Sequence, residues 1–126
     1  MRILLDTHLL LWFLEASSAL TPQAREMICS PDSTVFVSAV SLWEICLKQS
    51  LGKLRLPVDF TERLAVESFE NLPLLASHTR NISVLPWHHR DPFDRMLIAQ
   101  AEFEKLILLT TDEALAAYGA MVHLAR

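Results

Sequence analysis

Two short runs near opposite ends of the chain, Ile3-Leu4-Leu5 and Leu106-Ile107-Leu108-Leu109-Thr110, are apolar at successive positions with no polar alternation. Neighbouring side chains of a strand point to opposite faces, so a strand of this kind must be covered on both sides. That is the situation of a central strand in a parallel sheet, and parallel strands need long, usually helical, crossovers between them. The intervening sequence supplies such crossovers. A helix is expected from His8 to about Glu15, apolar nearly all round and bulked by Trp12 and Phe13. Thr21-Pro22 reads as a cap followed by proline at the first helical position, opening a helix to about Cys29. Thr34–Val37 is β-branched and aromatic, hence a strand. Ser38–Ser50 is expected to be helical and to stop at Gly52.

Asp59 or Thr61 can cap a helix that buries Phe60 and Leu64, and Leu72–Leu75 is a weak strand confined by Pro73 to an edge or to its first residue. Helices follow at about Ser77–Val84 and Pro92–Lys105, then the strand ending at Thr110, a short helix from Asp112 and a last strand at Met121–Leu124. Strands separated almost throughout by helices predict a three-layer α/β/α sandwich around a mainly parallel sheet of four to five strands. With 126 residues, the chain is expected to form a single domain, residues 1–126.

Composition narrows the function classes. Hydrophobic residues are 52% and charged residues 21%, which excludes a disordered chain, and only two glycines leave no G-x-G-x-x-G or phosphate-cradling loop. A net charge of −4 gives no overall attraction for nucleic acid, so binding of that kind must be local or mediated by a metal. Cys29 and Cys46 lack C-x-x-C spacing and are expected to be reduced and buried. No signal peptide or apolar run of membrane-spanning length is evident, so the expectation is a cytoplasmic protein.

The loops that follow parallel strands gather on one rim of the sheet, where ligands bind. Four acids fall there: Asp6 after the first strand, Glu44 in the helix after the second, Asp94 opening the helix before the Leu106–Thr110 strand, and Asp112 after that strand. Each also has an ordinary reading. Asp6 and Asp112 can be helix caps, Ser41-Leu42-Trp43-Glu44 fits a capping box, and Asp94 suits the positive end of a helix dipole. Asp91, before Pro92, reads mainly as a cap. If the four converge, their mutual repulsion calls for a cation, and an all-carboxylate donor set suits Mg²⁺ or Mn²⁺. The chemistry most often served by such sites is phosphodiester hydrolysis.

Leu4-Leu5-Asp6-Thr7-His8, Val37-Ser38-Ala39-Val40-Ser41-Leu42-Trp43-Glu44-Ile45, His89-Arg90-Asp91-Pro92-Phe93-Asp94-Arg95-Met96-Leu97-Ile98-Ala99-Gln100-Ala101 and Leu109-Thr110-Thr111-Asp112 resemble the successive motifs of PIN domains, in particular the VapC-type toxins of bacterial toxin–antitoxin pairs. The resemblance covers essentially the whole chain. It implies an Mg²⁺- or Mn²⁺-dependent endoribonuclease with Asp6, Glu44, Asp94 and Asp112 as its acidic site, an RNA substrate, a homodimer and a small antitoxin partner. Asp112 falls at the family's most variable acid. Thr110 or Thr111 matches the family's supporting hydroxyl, and Asp91 has a secondary role at most.

Arg90 and Arg95 are the nearest cations for RNA phosphates; the alternative for Arg95 is to pair with an acid and orient it. His88 and His89 adjoin the site, whereas His8 and His123 read as structural, and no H-x-x-x-H spacing points to a histidine metal site. Lys48 stands at i+4 from Glu44, the spacing of a helical ion pair, while Lys53 and Arg55 either meet RNA or solvate a loop. Trp12, Trp43 and Trp87 read first as core or interface. Two rival functions remain: a receiver-like phospho-acceptor, which wants adjacent acids after the first strand and a lysine after the last, and a non-catalytic binding module working through Leu9–Leu14.

Overall fold

A computed structural model describes all residues, Met1–Arg126. The chain runs β1 (Arg2–Leu5), α1 (Thr7–Leu14), α2 (Pro22–Cys29), β2 (Thr34–Ser38), α3 (Ala39–Ser50), α4 (Phe60–Val66) and β3 (Glu70–Leu72). It continues with α5 (Ala76–Ile82), α6 (Pro92–Glu104), β4 (Ile107–Thr110), a 3-10 helix (Glu113–Tyr118) and β5 (Val122–Leu124). The five strands form one sheet in the order β3-β2-β1-β4-β5, and every pairing is parallel. The two runs without alternation are therefore neighbours at its centre, with Leu4 opposite Leu108 on one side and Phe36 on the other.

Two apolar layers flank the sheet, as a strand buried on both faces requires. Ile3 and Leu5 belong to a core with Leu9, Leu10 and Leu14 of α1 and Ala24 and Ile28 of α2. Leu4 and Leu108 belong to a second core with Leu97, Ile98 and Ala101 of α6. Each fully buried leucine contributes roughly 2–3 kcal/mol of hydrophobic stabilisation. Within α1, Leu9, Leu10, Leu11 and Leu14 are all buried, so the chain's own layers cover most of this helix. No helix is long and apolar enough to cross a membrane.

Local signals place most of the ends. Thr21 accepts a hydrogen bond from the Ala24 N–H with Pro22 at the first helical position, and Asp91 does the same for Phe93 and Asp94 with Pro92. Gly52, at φ +72°, takes the left-handed turn after α3. The short helix expected from Asp112 is present as a 3-10 helix capped by that residue. Three expectations need correction. The third strand lies at Glu70–Leu72 rather than Leu72–Leu75; Pro73, which has no N–H to give a ladder, follows its end. Ser38, not Ser41, caps α3, while Ser41 lies inside that helix, buried and receiving a hydrogen bond from Thr7 Oγ1 at 2.9 Å. Cys29 and Cys46 are free but exposed, not buried.

Candidate active site

The strand order reverses direction between β1 and β4, and the crevice beyond their carboxyl ends is where a sheet of this kind holds ligands. Asp6 leaves β1 there as the N-cap of α1, its Oδ1 accepting from the His8 N–H at 2.7 Å. The Asp6 N–H is itself bonded to the Leu109 carbonyl of β4, which fixes the chain at the crevice. Thr110, the last residue of β4, donates its hydroxyl to Asp6 Oδ2 at 2.6 Å and accepts from the Asp112 N–H at 3.0 Å. One buried hydroxyl thus ties together the ends of both central strands. Of the two threonines singled out from sequence, Thr110 makes these bonds, whereas Thr111 makes no side-chain hydrogen bond.

Asp112 caps the 3-10 helix through the Ala114 N–H and stays partly exposed. Helices α3 and α6 both start on this rim and bring Glu44 and Asp94 to it. Trp43 and Phe93, each one residue before these acids, lock the two helices together through an edge-on ring contact with centroids 4.9 Å apart. Glu44 is 2% exposed; its Oε2 receives the Lys48 ammonium at 2.6 Å, and its Oε1 has no hydrogen-bond partner. The expected i,i+4 ion pair is therefore present, and the capping-box role for Glu44 is not.

Asp94 shows the cost of the assembly. Burial, reinforced by the charges of Asp6, Asp91 and Glu44, pushes its carboxyl up to about 7, with His89 acting in the opposite direction. Burial also pushes Asp6 up, but the hydrogen bonds from His8 and Thr110 outweigh it and hold Asp6 below the ordinary carboxylate value. His8 is raised by its hydrogen bond to Asp6, and by the charges of Asp6 and Glu44, against the opposing effect of burial. The Lys48 ammonium is strengthened first by Glu44 and then by the charges of Asp91 and Asp94. All four predicted acids thus share the rim, and Asp91 adds its field while serving as the α6 cap.

Two imidazoles complete the picture, and spacing rules for paired histidines gave no sign of either role. His89 Nε2 stands 3.3 Å from Asp112 Oδ2 and 3.6 Å from Asp94 Oδ2. Its Nδ1 accepts the Asp91 N–H at 3.0 Å, which leaves Nε2 as the donor of the neutral ring, aimed at the acids. His89, Asp94 and Asp112 offer ligand atoms that all lie within 4.8 Å of one another. His8, read from sequence as structural, is instead exposed and stands beside Asp6, with Nδ1 3.7 Å from Oδ1. His88 is exposed and packs its ring edge-on against Tyr118.

The arginines divide. Arg90 is exposed beside Asp91. Arg95 is buried and touches no acid: it donates to the carbonyls of Ile82, Leu85 and Pro86 and to the Tyr118 hydroxyl, with its guanidinium 3.7 Å from the Trp87 ring centroid. Both sequence readings of Arg95 are corrected by this. An apolar helix face at α6 carries position 95 inward, away from the rim, and the loop carbonyls that meet it come from residues whose path no local pattern reveals.

The donor set fits a hard divalent cation. Carboxylate oxygens dominate it, one buried carboxylate oxygen has no partner, and burial beside other acids makes Asp94 resist ionisation. In fold, the chain is similar to a chain of VapBC2 from Rickettsia felis, in a structure bound to a DNA fragment from the promoter, with a TM-score of 0.74 and 13% identity over 98% of each chain. It is likewise similar to a chain of a toxin–antitoxin complex from Klebsiella pneumoniae, with a TM-score of 0.66 and 16% identity over 98% of each chain. No individual curated protein matches it in sequence. The sequence model of the PIN domain family matches residues 3–121, a span that includes Asp6, Glu44, Asp94 and Asp112. The chain belongs to the PIN domain family.

Proposed function

We propose that the protein is a divalent-metal-dependent endoribonuclease acting in the cytoplasm as the toxin of a toxin–antitoxin pair. The observation that carries this reading is the gathering of Asp6, Glu44, Asp94 and Asp112 on one rim, where Asp94 is driven up to about 7 and Glu44 Oε1 is left unpartnered. A rim built only for helix capping has no need of Glu44, which caps nothing. The family match and the fold shared with chains of VapBC2 and of the Klebsiella pneumoniae complex support the same reading.

Asp6, Glu44, Asp94 and Asp112 are the residues that would hold Mg²⁺ or Mn²⁺, with His89 beside Asp94 and Asp112. Bound there, the ion supplies an acidified water and a counter-charge for the phosphoryl and leaving oxygens. The chain's own part is positioning. Thr110 fixes the rotation of the Asp6 carboxylate, and the Trp43–Phe93 contact sets the spacing of Glu44 and Asp94. Hydrolysis adds the water oxygen to phosphorus and breaks the bond to the leaving ribose oxygen, and no side-chain nucleophile is required. The partners proposed are an RNA strand, a second copy of the chain in a homodimer and a small antitoxin.

The rivals lose their premises. Only Asp6 stands at the end of β1, without the adjacent acid that a receiver-like site wants, so such a site is incomplete there. A binding module working through Leu9–Leu14 has four of its leucines in the core. The test is cleavage of RNA by the purified chain, freed of antitoxin, with Mg²⁺ or Mn²⁺. Asp6→Asn and Asp94→Asn are expected to abolish it in folded protein; cleavage that persists in EDTA overturns the metal mechanism.

A further inference from the structure

An RNA strand brings one negative charge per nucleotide to a rim crowded with carboxylates, so its phosphates need cations close beside the acids. Many of the protein's cations are engaged elsewhere. Arg95 is buried among carbonyls, Arg63 pairs with Asp59, and Arg126 pairs with Glu113. Two lysines are placed differently. On the far side of Glu44 lies a hollow of about 180 Å³, walled by His8, Glu44, Lys48 and Lys53 over an apolar floor that includes Leu11 and Leu54. It shares Glu44 with the acid site, and His8 reaches from it to Asp6.

Local backbone geometry builds this pair of lysines. Lys48 is held at the shared wall by its 2.6 Å contact with Glu44 Oε2, and its ammonium, with three donors in all, keeps others for a ligand. Its side chain is 38% exposed, so the hollow is open to an incoming group. Gly52 then turns the chain back at φ +72°, and the Lys53 N–H closes on the Lys48 carbonyl at 2.9 Å. The turn that ends α3 thus brings Lys53 back beside Lys48. The Lys53 side chain makes no hydrogen bond or ion pair of its own.

We propose that this hollow is the subsite for an RNA phosphate adjacent to the scissile one, with Lys48 and Lys53 as its cations and the apolar floor facing the ribose. The inference rests on the nuclease reading and adds to it where the strand lies: across Glu44, toward the loop after α3.

The test is anisotropy of a labelled single-stranded RNA on full-length Asp94→Asn protein, which blocks cleavage, across a salt titration. Adding Lys48→Met and Lys53→Met is expected to weaken binding about tenfold and to flatten the log–log salt slope by about 0.7, the value for one single-strand phosphate no longer neutralised. Lys48→Arg with Lys53→Arg is expected to restore both, and Arg80→Met, an exposed charge on α5, to change neither. If Lys48→Met alters the stabilisation by Mn²⁺, and so disturbs Glu44, Lys53→Met alone decides. Unchanged affinity and slope in the lysine variants overturn the subsite and leave the nuclease reading standing, as does an equal loss from Arg80→Met. Failure of both the Asp94→Asn protein and the parent chain with Mn²⁺ to bind any RNA overturns subsite and nuclease reading alike.

Discussion

The Thr110 hydroxyl donates to Asp6 Oδ2 at 2.6 Å and, from the same oxygen, accepts the Asp112 N–H at 3.0 Å. Thr110→Val keeps the shape and removes both bonds, leaving a buried carboxylate oxygen short of a donor. The expected cost is about 2 kcal/mol, read from denaturant unfolding. Cleavage is expected to fall at least tenfold, with its acid limb moved to higher pH because Thr110 is one of the groups holding Asp6 down. Thr110→Ser is expected to restore activity; equal loss in both variants would point to packing rather than the hydroxyl.

Asp94 makes the metal-free protein sensitive to pH in an unusual direction. Its carboxyl titrates near 7 when folded against 3.8 ordinarily, so between these values the native state holds a proton that the unfolded state has released. Stability from this group therefore falls as pH rises through that window, by at most about 4 kcal/mol. His8, raised by Asp6, acts in the same direction as pH rises through its folded value. Asp6, held low, loses its contribution only on acidification. Melting in EDTA from pH 5 to 8 should show a decline that Asp94→Asn flattens, leaving the variant more stable than the parent at pH 8.

Divalent ions should reverse that decline. At pH 8, saturating Mn²⁺ is expected to raise the melting temperature, since a ligand at a hundred times its Kd adds about 2.7 kcal/mol. Glu44→Gln and Asp94→Asn are expected to blunt the shift, and EDTA to abolish it. An equal shift in all three proteins would place the ion elsewhere.

Arg95→Met should damage the fold rather than the chemistry. The substitution leaves the Leu85 carbonyl without a donor and removes one bond each from the Ile82 and Pro86 carbonyls and the Tyr118 hydroxyl, which keep other partners, at a cost of about 2 kcal/mol. Lysine lacks the planar fork, so Arg95→Lys is expected to recover only part of the loss. With Mn²⁺ bound and well below the melting temperature, the RNA salt slope should stay at the parent value.

Element type was legible wherever local chemistry is decisive. Uninterrupted apolar runs announced β1 and β4, cap-plus-proline pairs announced α2 and α6, and Gly52 announced the end of α3. The four acids were legible because parallel topology carries the starts of crossover helices and the ends of strands to the same rim. The roles of Arg95, His8 and His89 were not. Each depends on which groups from distant segments stand opposite, and neither periodicity nor spacing records that. Ser41-x-x-Glu44 misled for a related reason: its spacing fits a cap, but Ser38 at the strand's end is where the backbone turns helical.

The place of β1 also sets a clock. Its partners are residues 34–36 on one side and 107–109 on the other. A ribosome-bound chain that has not yet released β4 holds Asp6 without Thr110 and has no Asp112. Such pairings, among the most distant in the chain, are slow to form. On the proposed nuclease reading, fragments that stop before β4 are expected to be inert, because the rim is complete only once Thr110 and Asp112 have joined Asp6. Anything that must restrain the chain has the whole time of translation and folding in which to arrive.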